Sequence, residues 1–462
     1  MPPTLSSALN SSWEVTAGVS LLLGVVTHLT IRPFEIDSKG WPLFFSYIGV
    51  LVALLFSYVT TAGFSVFDAW LRTTIVANAF NVGLAGSILL YRAFFHRLHK
   101  FPGPFLAKLS RFYAMATAAE TLQANVVAQK LHAKYGDFVR VAMFFGFDVM
   151  GDVGFSKDFH MLESGEEHSA TKGLHDNMTA VGVLGTVPWL MSMLSKIPGA
   201  TGSYARFTDW CGRELAAKRE VVAHEKASLK DQEPRDVMTW LLKAQDDGDN
   251  SAPPGEGAFQ EDSRLMIIAG SDTTSVAFTN ALYYLTKYPA TYRKLQEELA
   301  AVFPGGDGDW TYDKAKTVSY LDYIIQETLR LKPSIPAGLV RLTPATGLQI
   351  DEVFIPGDTI VSVPAYAVQR DARYWDNALE FVPERWEKLS TEKAPWIPFS
   401  RGQFSCPGRN LAFLELRMVL SRIALRYNLS FAPGTDVEKF DTDIKDTFTL
   451  NVPELPLIFT AR

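Results

Sequence analysis

Trp41 to Val59 runs without a single charged side chain. A helix of that length, at about 1.5 Å per residue, matches the ~30 Å hydrocarbon core of a bilayer. No polar face recurs along it that would suit a buried helix of a soluble domain. Two further apolar stretches flank it: Val15 to Ile31, interrupted by His28, and Thr73 to Tyr91, uncharged but holding Asn78 and Asn81. A cleaved signal peptide needs a basic start before one short apolar region, and residues 1–14 hold no Lys or Arg. These stretches predict a membrane anchor over residues 1–100 with two to three transmembrane helices, at about 15–31, 41–59 and 73–91.

Placement of cations orients the anchor. Arg32 and Lys39 follow the first stretch, and Arg92, Arg97 and Lys100 follow the third. The positive-inside bias puts both sets in the cytoplasm and the N-terminus on the other side. The Asn10-Ser11-Ser12 triplet then sits on the lumenal side, too close to the first span to be glycosylated. Lys100-Phe101-Pro102-Gly103-Pro104 cannot continue a helix and forms a stiff hinge into a body at 101–462.

Composition excludes other classes. A net charge of −6 and pI near 5.8 give no basic field for nucleic acid. Two cysteines, Cys211 and Cys406, make no disulfide framework and suit a reducing compartment. Leu131 to Asp137 closes a helical run at a Gly stop, Phe138 to Val141 reads as a short strand, and Phe147 to Lys230 is mostly helical, broken at Pro188 and Pro198. Helices follow at about Gln260–Lys287, Tyr292–Phe303 and Tyr320–Leu331. Strands are predicted at Leu348–Ile350, Val353–Ile355 and Thr359–Val363 with a Pro356-Gly357 turn, then a helix at Asn410–Arg426 and a strand-like tail. His168 and His175, seven apart and without cysteines nearby, read as surface helix rather than metal ligands.

Four elements carry chemistry. Residues 399–408, FSRGQFSCPG, set Cys406 in a glycine loop before a helix start, which offers N–H groups and positive dipole to a thiolate. A lone cysteine is more often a small buried hydrophobe, but this one has company. Glu327 and Arg330, three apart on a helix, can pair. Alone they would be a surface ion pair of little worth; Arg385 in FVPERW supplies a second guanidinium for a buried network. Ala269-Gly270-Ser271-Asp272-Thr273-Thr274 is a poor choice for mid-helix stability and can loosen the hydrogen-bond ladder. An acid beside an alcohol there could relay protons.

In this order the elements resemble the cytochrome P-450 superfamily. AGSDTT is similar to its oxygen-activation motif, ETLR at 327–330 to its E-x-x-R, FVPERW to its P-E-R segment, and the cysteine loop to F-x-x-G-x-R-x-C-x-G at most positions. FDVMGDVGF and the lipophilic anchor look most like fungal microsomal members of the tryprostatin- or benzoate-hydroxylase-like kind.

The resemblance implies a mainly α fold with small β-sheets, preceded by the transmembrane helices, in the endoplasmic reticulum membrane with the catalytic domain cytoplasmic. It implies haem b with Cys406 as axial iron ligand, Phe399, Gly402 and Gly408 in the haem-binding loop, and Arg341 pairing a propionate. Asp272 and Thr273 would deliver protons to dioxygen, and Glu327, Arg330 and Arg385 would form the structural triad. An apolar small molecule, in secondary or xenobiotic metabolism, would be hydroxylated with electrons from NADPH through a membrane-bound cytochrome reductase. Intact Asp272-Thr273 argues against an isomerase or dehydratase that needs no dioxygen.

Two departures stand out. Phe404 occupies the loop position where the family commonly has Arg. After Val141 the chain passes directly into Ala142-Met143-Phe144-Phe145, which looks like a much later helix, and no W-x-x-x-R occurs before residue 260. About a hundred residues of a typical domain are thus expected to be absent at 141/142. The alternative to an active monooxygenase is therefore an inactive, truncated membrane relative that binds haem weakly or not at all.

Overall fold

A computed structural model describes residues 9–32, 39–96, 105–110, 138–164, 202–229, 234–250 and 252–462, with short pieces of 166–197. The Lys100–Pro104 hinge, the Leu131–Asp137 segment and His175 lie outside the described residues. The chain divides into two compact units, Met1–Glu120 with Val183–Thr201, and Thr121–Gly182 with Gly202–Arg462.

In the first unit, α1 (Trp13–Ile31), α2 (Gly40–Thr60) and α3 (Val66–Leu90) are each long and apolar enough to cross a bilayer. Their outward side chains, among them Leu22, Phe45, Val50, Phe56 and Phe67, are apolar, as contact with lipid would require. The third helix begins well before Thr73 because Ser65 caps it, accepting from the Asp68 N–H at 3.1 Å. That start draws Arg72 into the helix, where its guanidinium lies over the rings of Trp13 and Phe64 at 4.5 and 4.4 Å. α1 and α3 pack closely because each offers a glycine: a Cβ at Gly24 would collide with the Phe80 and Leu84 backbone, and one at Gly83 with Leu21. His28, the interruption in the first stretch, turns toward α3 and shares a 2.7 Å hydrogen bond with Ser87 Oγ.

Among the described residues, the second unit is helical with four two-stranded antiparallel sheets. Its long helices are α4 (Phe138–Phe155), α5 (Gly202–Leu229), α6 (Val237–Asp246), α7 (Glu256–Lys287), α8 (Pro289–Val302), α9 (Ser319–Leu331) and α10 (Arg409–Arg426). The sheets pair β1 (Arg341–Leu342) with β4 (Ile360–Val361), β2 (Leu348–Ile350) with β3 (Val353–Ile355), β5 (Tyr427–Phe431) with β8 (Leu457–Ala461), and β6 (Lys445–Thr447) with β7 (Thr449–Asn451). The main core gathers α7 to α10 around Leu282, Leu295, Leu321, Ile324, Leu416 and Leu420, with Trp375, Trp386 and Trp396 on one side. A second cluster sets Phe147, Phe207, Phe259 and Ile267 around Cys211, whose thiol burial pushes up to about 12. That cysteine is a core hydrophobe.

Two expectations are corrected. Phe138–Val141 is the first turn of α4, not a strand. A short apolar run does not by itself distinguish strand from helix, and here the backbone bonds within a helix. His168 does not lie on an open helix face; its ring packs with those of Phe147, Phe159 and Trp210, 4.9 Å from the last.

Helix α4 lies directly on α7. A Cβ at Gly146 would stand 2.9 Å from the Ser271 carbonyl oxygen, and one at Gly270 would collide with the Met150 thioether. Gly270→Val should therefore cost about 1–3 kcal/mol by overpacking. Gly257, in the first turn of the same helix with open space around it, is the control: Gly257→Ala should change stability by no more than about 0.5 kcal/mol. Thermal melts of the detergent-solubilised chain, followed by far-ultraviolet circular dichroism, read both.

Candidate functional site

Helix α9 buries a carboxylate and a guanidinium one turn apart, and neither Glu327 nor Arg330 has measurable exposure. Arg330 Nε and Nη2 donate to the two Glu327 oxygens, each at 2.9 Å. Arg385, on the Pro383–Glu387 turn, donates to Glu327 Oε1 at 2.9 Å, the Val382 N–H to the same oxygen at 3.0 Å, and Trp386 Nε1 to Oε2 at 3.0 Å. The three residues predicted as a triad are thus in contact, and the pair predicted at its weakest as a surface contact is buried. Arg330 Nη1 also donates to the carbonyls of Gln369 and Ala378, both at 2.7 Å, and Nη2 to that of Glu380 at 2.9 Å. With every lone pair and proton placed, such a pair tolerates burial that would otherwise cost several kcal/mol per ion.

The network positions the cysteine loop. Gln369, fully buried, donates to the Leu329 and Arg330 carbonyls and accepts from the Ile397 N–H at 2.6 Å. Trp396 Nε1 donates to the Gln326 carbonyl, and Arg401 clasps the carbonyls of Thr391, Glu392 and Ala394. The strand-like approach then turns sharply, with Ser400 at φ +58° and Gly402 at φ +72°. Glycine takes that second conformation without a Cβ clash. The Phe399 carbonyl accepts from the Cys406 N–H at 2.8 Å, and the Phe399 ring packs between Trp396 and Phe413. Cys406 is exposed, just before α10, which Gly408 caps; a Cβ there would stand 3.7 Å from the sulfur.

On α7, Ser271, Asp272 and Thr274 are buried and Thr273 is partly so. The hydrogen-bond ladder expected to loosen here runs unbroken from Glu256 to Lys287. The hydroxyls bond their own helix instead: Ser271 Oγ to the Ile267 carbonyl at 3.0 Å, Thr273 Oγ1 to Ala269 at 2.6 Å, Ser275 Oγ to Ser271 at 2.5 Å. Ser334 Oγ donates to this turn from outside the helix, at 2.7 Å from the Thr273 carbonyl. Arg341, on β1, lies with its guanidinium 4.7 Å over the Phe404 ring.

An exposed thiol at a helix start, a partly exposed guanidinium beside its loop, and exposed Leu339, Val340 and Leu342 flanking that guanidinium suit a flat apolar group bearing carboxylates and a thiolate-binding metal. The residues on the cysteine side therefore fit haem.

A cytochrome P450 family model matches residues 91–459. The chain belongs to the cytochrome P450 family. It is 53% identical to the cytochrome P450 monooxygenase eupD of Phoma sp over 285 residues, 62% of this chain and all of that protein. With the cytochrome P450 monooxygenase FCK2 of Fusarium pseudograminearum it shares 29% identity, covering 96% of this chain and 97% of the relative. The crystal structure of the cytochrome P450DA heme domain superposes with a TM-score of 0.57 at 20% identity, over 84% of this chain and 79% of that one, so the two share a fold. The family is one of haem-thiolate monooxygenases, and the expected fungal, mainly helical P450 architecture is what this chain has.

Sequence reading missed the buried hub Gln369, the donor Trp386, the Ser334 tie to Thr273 and the loop clasp Arg401. It also missed Glu415, buried on α10 with Oε2 unpartnered and its carboxyl pushed up to about 8 by burial. Its only sequence signal was an acid at a core position of a helix.

Two stability outcomes follow from these geometries. Glu327→Ala strands two guanidiniums and should cost about 3–5 kcal/mol. Arg422→Ala, removing an exposed partner of Asp307, should cost under about 1 kcal/mol; urea unfolding compares them. For Glu415 the folded form holds its proton more tightly than the unfolded chain, so its contribution is present below about pH 4.5 and lost as pH rises toward 8. Glu415→Gln, which has no proton to lose, should match wild type near pH 5 and melt several degrees higher at pH 8.

Proposed function

We propose that this P450 hydroxylates an apolar small molecule in fungal secondary or xenobiotic metabolism, with electrons reaching it from NADPH through a membrane-bound cytochrome reductase. The observation that carries the reading is the exposed Cys406 thiol, held at the start of α10 by a loop that the Glu327 network fixes. The three apolar helices support attachment to the endoplasmic reticulum membrane, and the Lys and Arg distribution supports a cytoplasmic catalytic unit.

Haem bound through a thiolate supplies dioxygen reduction and oxygen-atom transfer. The protein's part is ligation, neutralisation and proton delivery. Cys406 would hold the haem iron through its thiolate sulfur, with Phe399, Gly402 and Gly408 shaping the loop around it. Arg341 would offer its N–H donors to a propionate. Thr273 Oγ1, donating to Ala269, keeps lone pairs with which to accept a proton from the Asp272 carboxyl and pass one on. The Glu327–Arg330–Arg385 network acts through position, remote from the reacting atoms.

A second reading, a truncated relative without turnover, is favoured by one observation. The alignment with the Fusarium relative runs over 543 positions yet takes in 96% of 462 residues, about 444, leaving about 99 positions with nothing of this chain opposite. That supports an internal gap of the size expected at Val141/Ala142, in a region that would clamp the propionates and roof the substrate pocket. Sequencing the transcript across that junction separates a true deletion from a wrongly joined gene.

A carbon-monoxide difference spectrum of reduced microsomes tests activity of the site. A Soret band at the thiolate position, lost in Cys406→Ser, is expected; no band despite good expression would select the truncated reading. If the band is present, Thr273→Ala should keep it and keep NADPH consumption while at least tenfold of product formation is diverted to peroxide, in line with the ~10²–10⁴ worth of a positioned proton donor.

A further inference from the structure

Phe404 stands where the family pattern has a second arginine, and its surroundings give it a different task. The Gly402–Phe404 turn, entered through two left-handed residues, projects the ring outward so that it is 57% exposed. An aromatic ring left that far in water has one face engaged, by the Arg341 guanidinium at 4.7 Å. Arg341 spends one donor on its neighbour's carbonyl, Nη1 to Val340 O at 2.9 Å. Among the described residues no carboxylate pairs with it, whereas Arg330, Arg385, Arg417 and Arg422 each hold one. Stacking occupies the face of a guanidinium and leaves its in-plane N–H fork free, the edge that binds a carboxylate bidentately. A flexible arginine without that support would lose more rotamer freedom on binding.

We propose that Phe404 is a positioning residue for Arg341, its ring pre-setting the guanidinium as an anion-binding fork for a propionate. The inference rests on the haem reading of the Cys406 loop. One supported cation then takes the place of two guanidiniums, which would repel each other until an anion arrived.

The test is titration of the detergent-solubilised full chain with ferric haem, read by Soret absorbance. Phe404→Leu, which keeps bulk and loses the π face, should weaken haem binding about two- to fivefold, the range of an exposed cation–π contact. Phe404→Trp should hold wild-type affinity. Arg341→Ala should weaken it at least as much as Phe404→Leu, and the Phe404→Leu/Arg341→Ala double variant should be no weaker than Arg341→Ala alone. Circular dichroism melts matching wild type confirm that each variant folds. Phe404→Leu binding as tightly as wild type, or additive losses in the double variant, overturns the proposal while leaving the Cys406 reading intact, provided Cys406→Ser abolishes the thiolate band. A wild-type chain that takes up no haem overturns both together.

Discussion

One carboxylate organises the catalytic unit. Glu327 is out of reach of water and accepts from five donors, two on Arg330, one each on Arg385 and Trp386, and the Val382 backbone. Removing Glu327 or Arg330 leaves the other's charge in a medium that cannot solvate it, so the two stand or fall together. Its donors come from α9 and from the single 3-10 turn at Pro383–Glu387 with Val382 before it, a turn too short to hold its place by its own hydrogen bonds. Through Arg330 and Gln369 the same network reaches the backbone at 369, 378, 380 and 397. The loop bearing Cys406 is thus built on hydrogen bonds to a helix far from it in sequence.

Helix α7 is the second organising element. It packs against α4, α5, α9 and α10, so its composition is pulled several ways. Gly270 is small because Met150 of α4 needs the room, and the hydroxyls beside it bond back to their own helix. Ser334, just past α9, bonds the Thr273 carbonyl with its side chain, and its own carbonyl accepts from the Leu450 N–H of β7. A turn that looked weak for a helix is thus held from outside, by a residue whose own backbone is held by a strand.

Much of this was legible beforehand, for definable reasons. The three apolar helices announce themselves by long stretches without charge, the composition that a bilayer-spanning helix would need. The β2 and β3 strands match the expected bounds to the residue, because they pair with each other across a two-residue turn and so need no distant partner. Phe138–Val141 was misread for the converse reason: a strand depends on a partner, which local pattern does not reveal. His168 was misread because burial among Phe147, Phe159 and Trp210 comes from three separate segments.

Sequence alone determined the three long apolar helices, the helical body, the family to which the chain belongs and the loop with Cys406, because each rests on short-range patterns of charge, period and spacing. Tertiary structure decided the rest. It buried Glu327 and Arg330, which their spacing alone left as a surface pair of little worth. It turned Glu415 into a carboxyl that holds its proton, by enclosing it in the core. It also set the Phe404 ring under Arg341, joining a loop to a strand some sixty residues earlier. Those outcomes depend on desolvation and on contacts between distant segments, and a linear pattern carries neither.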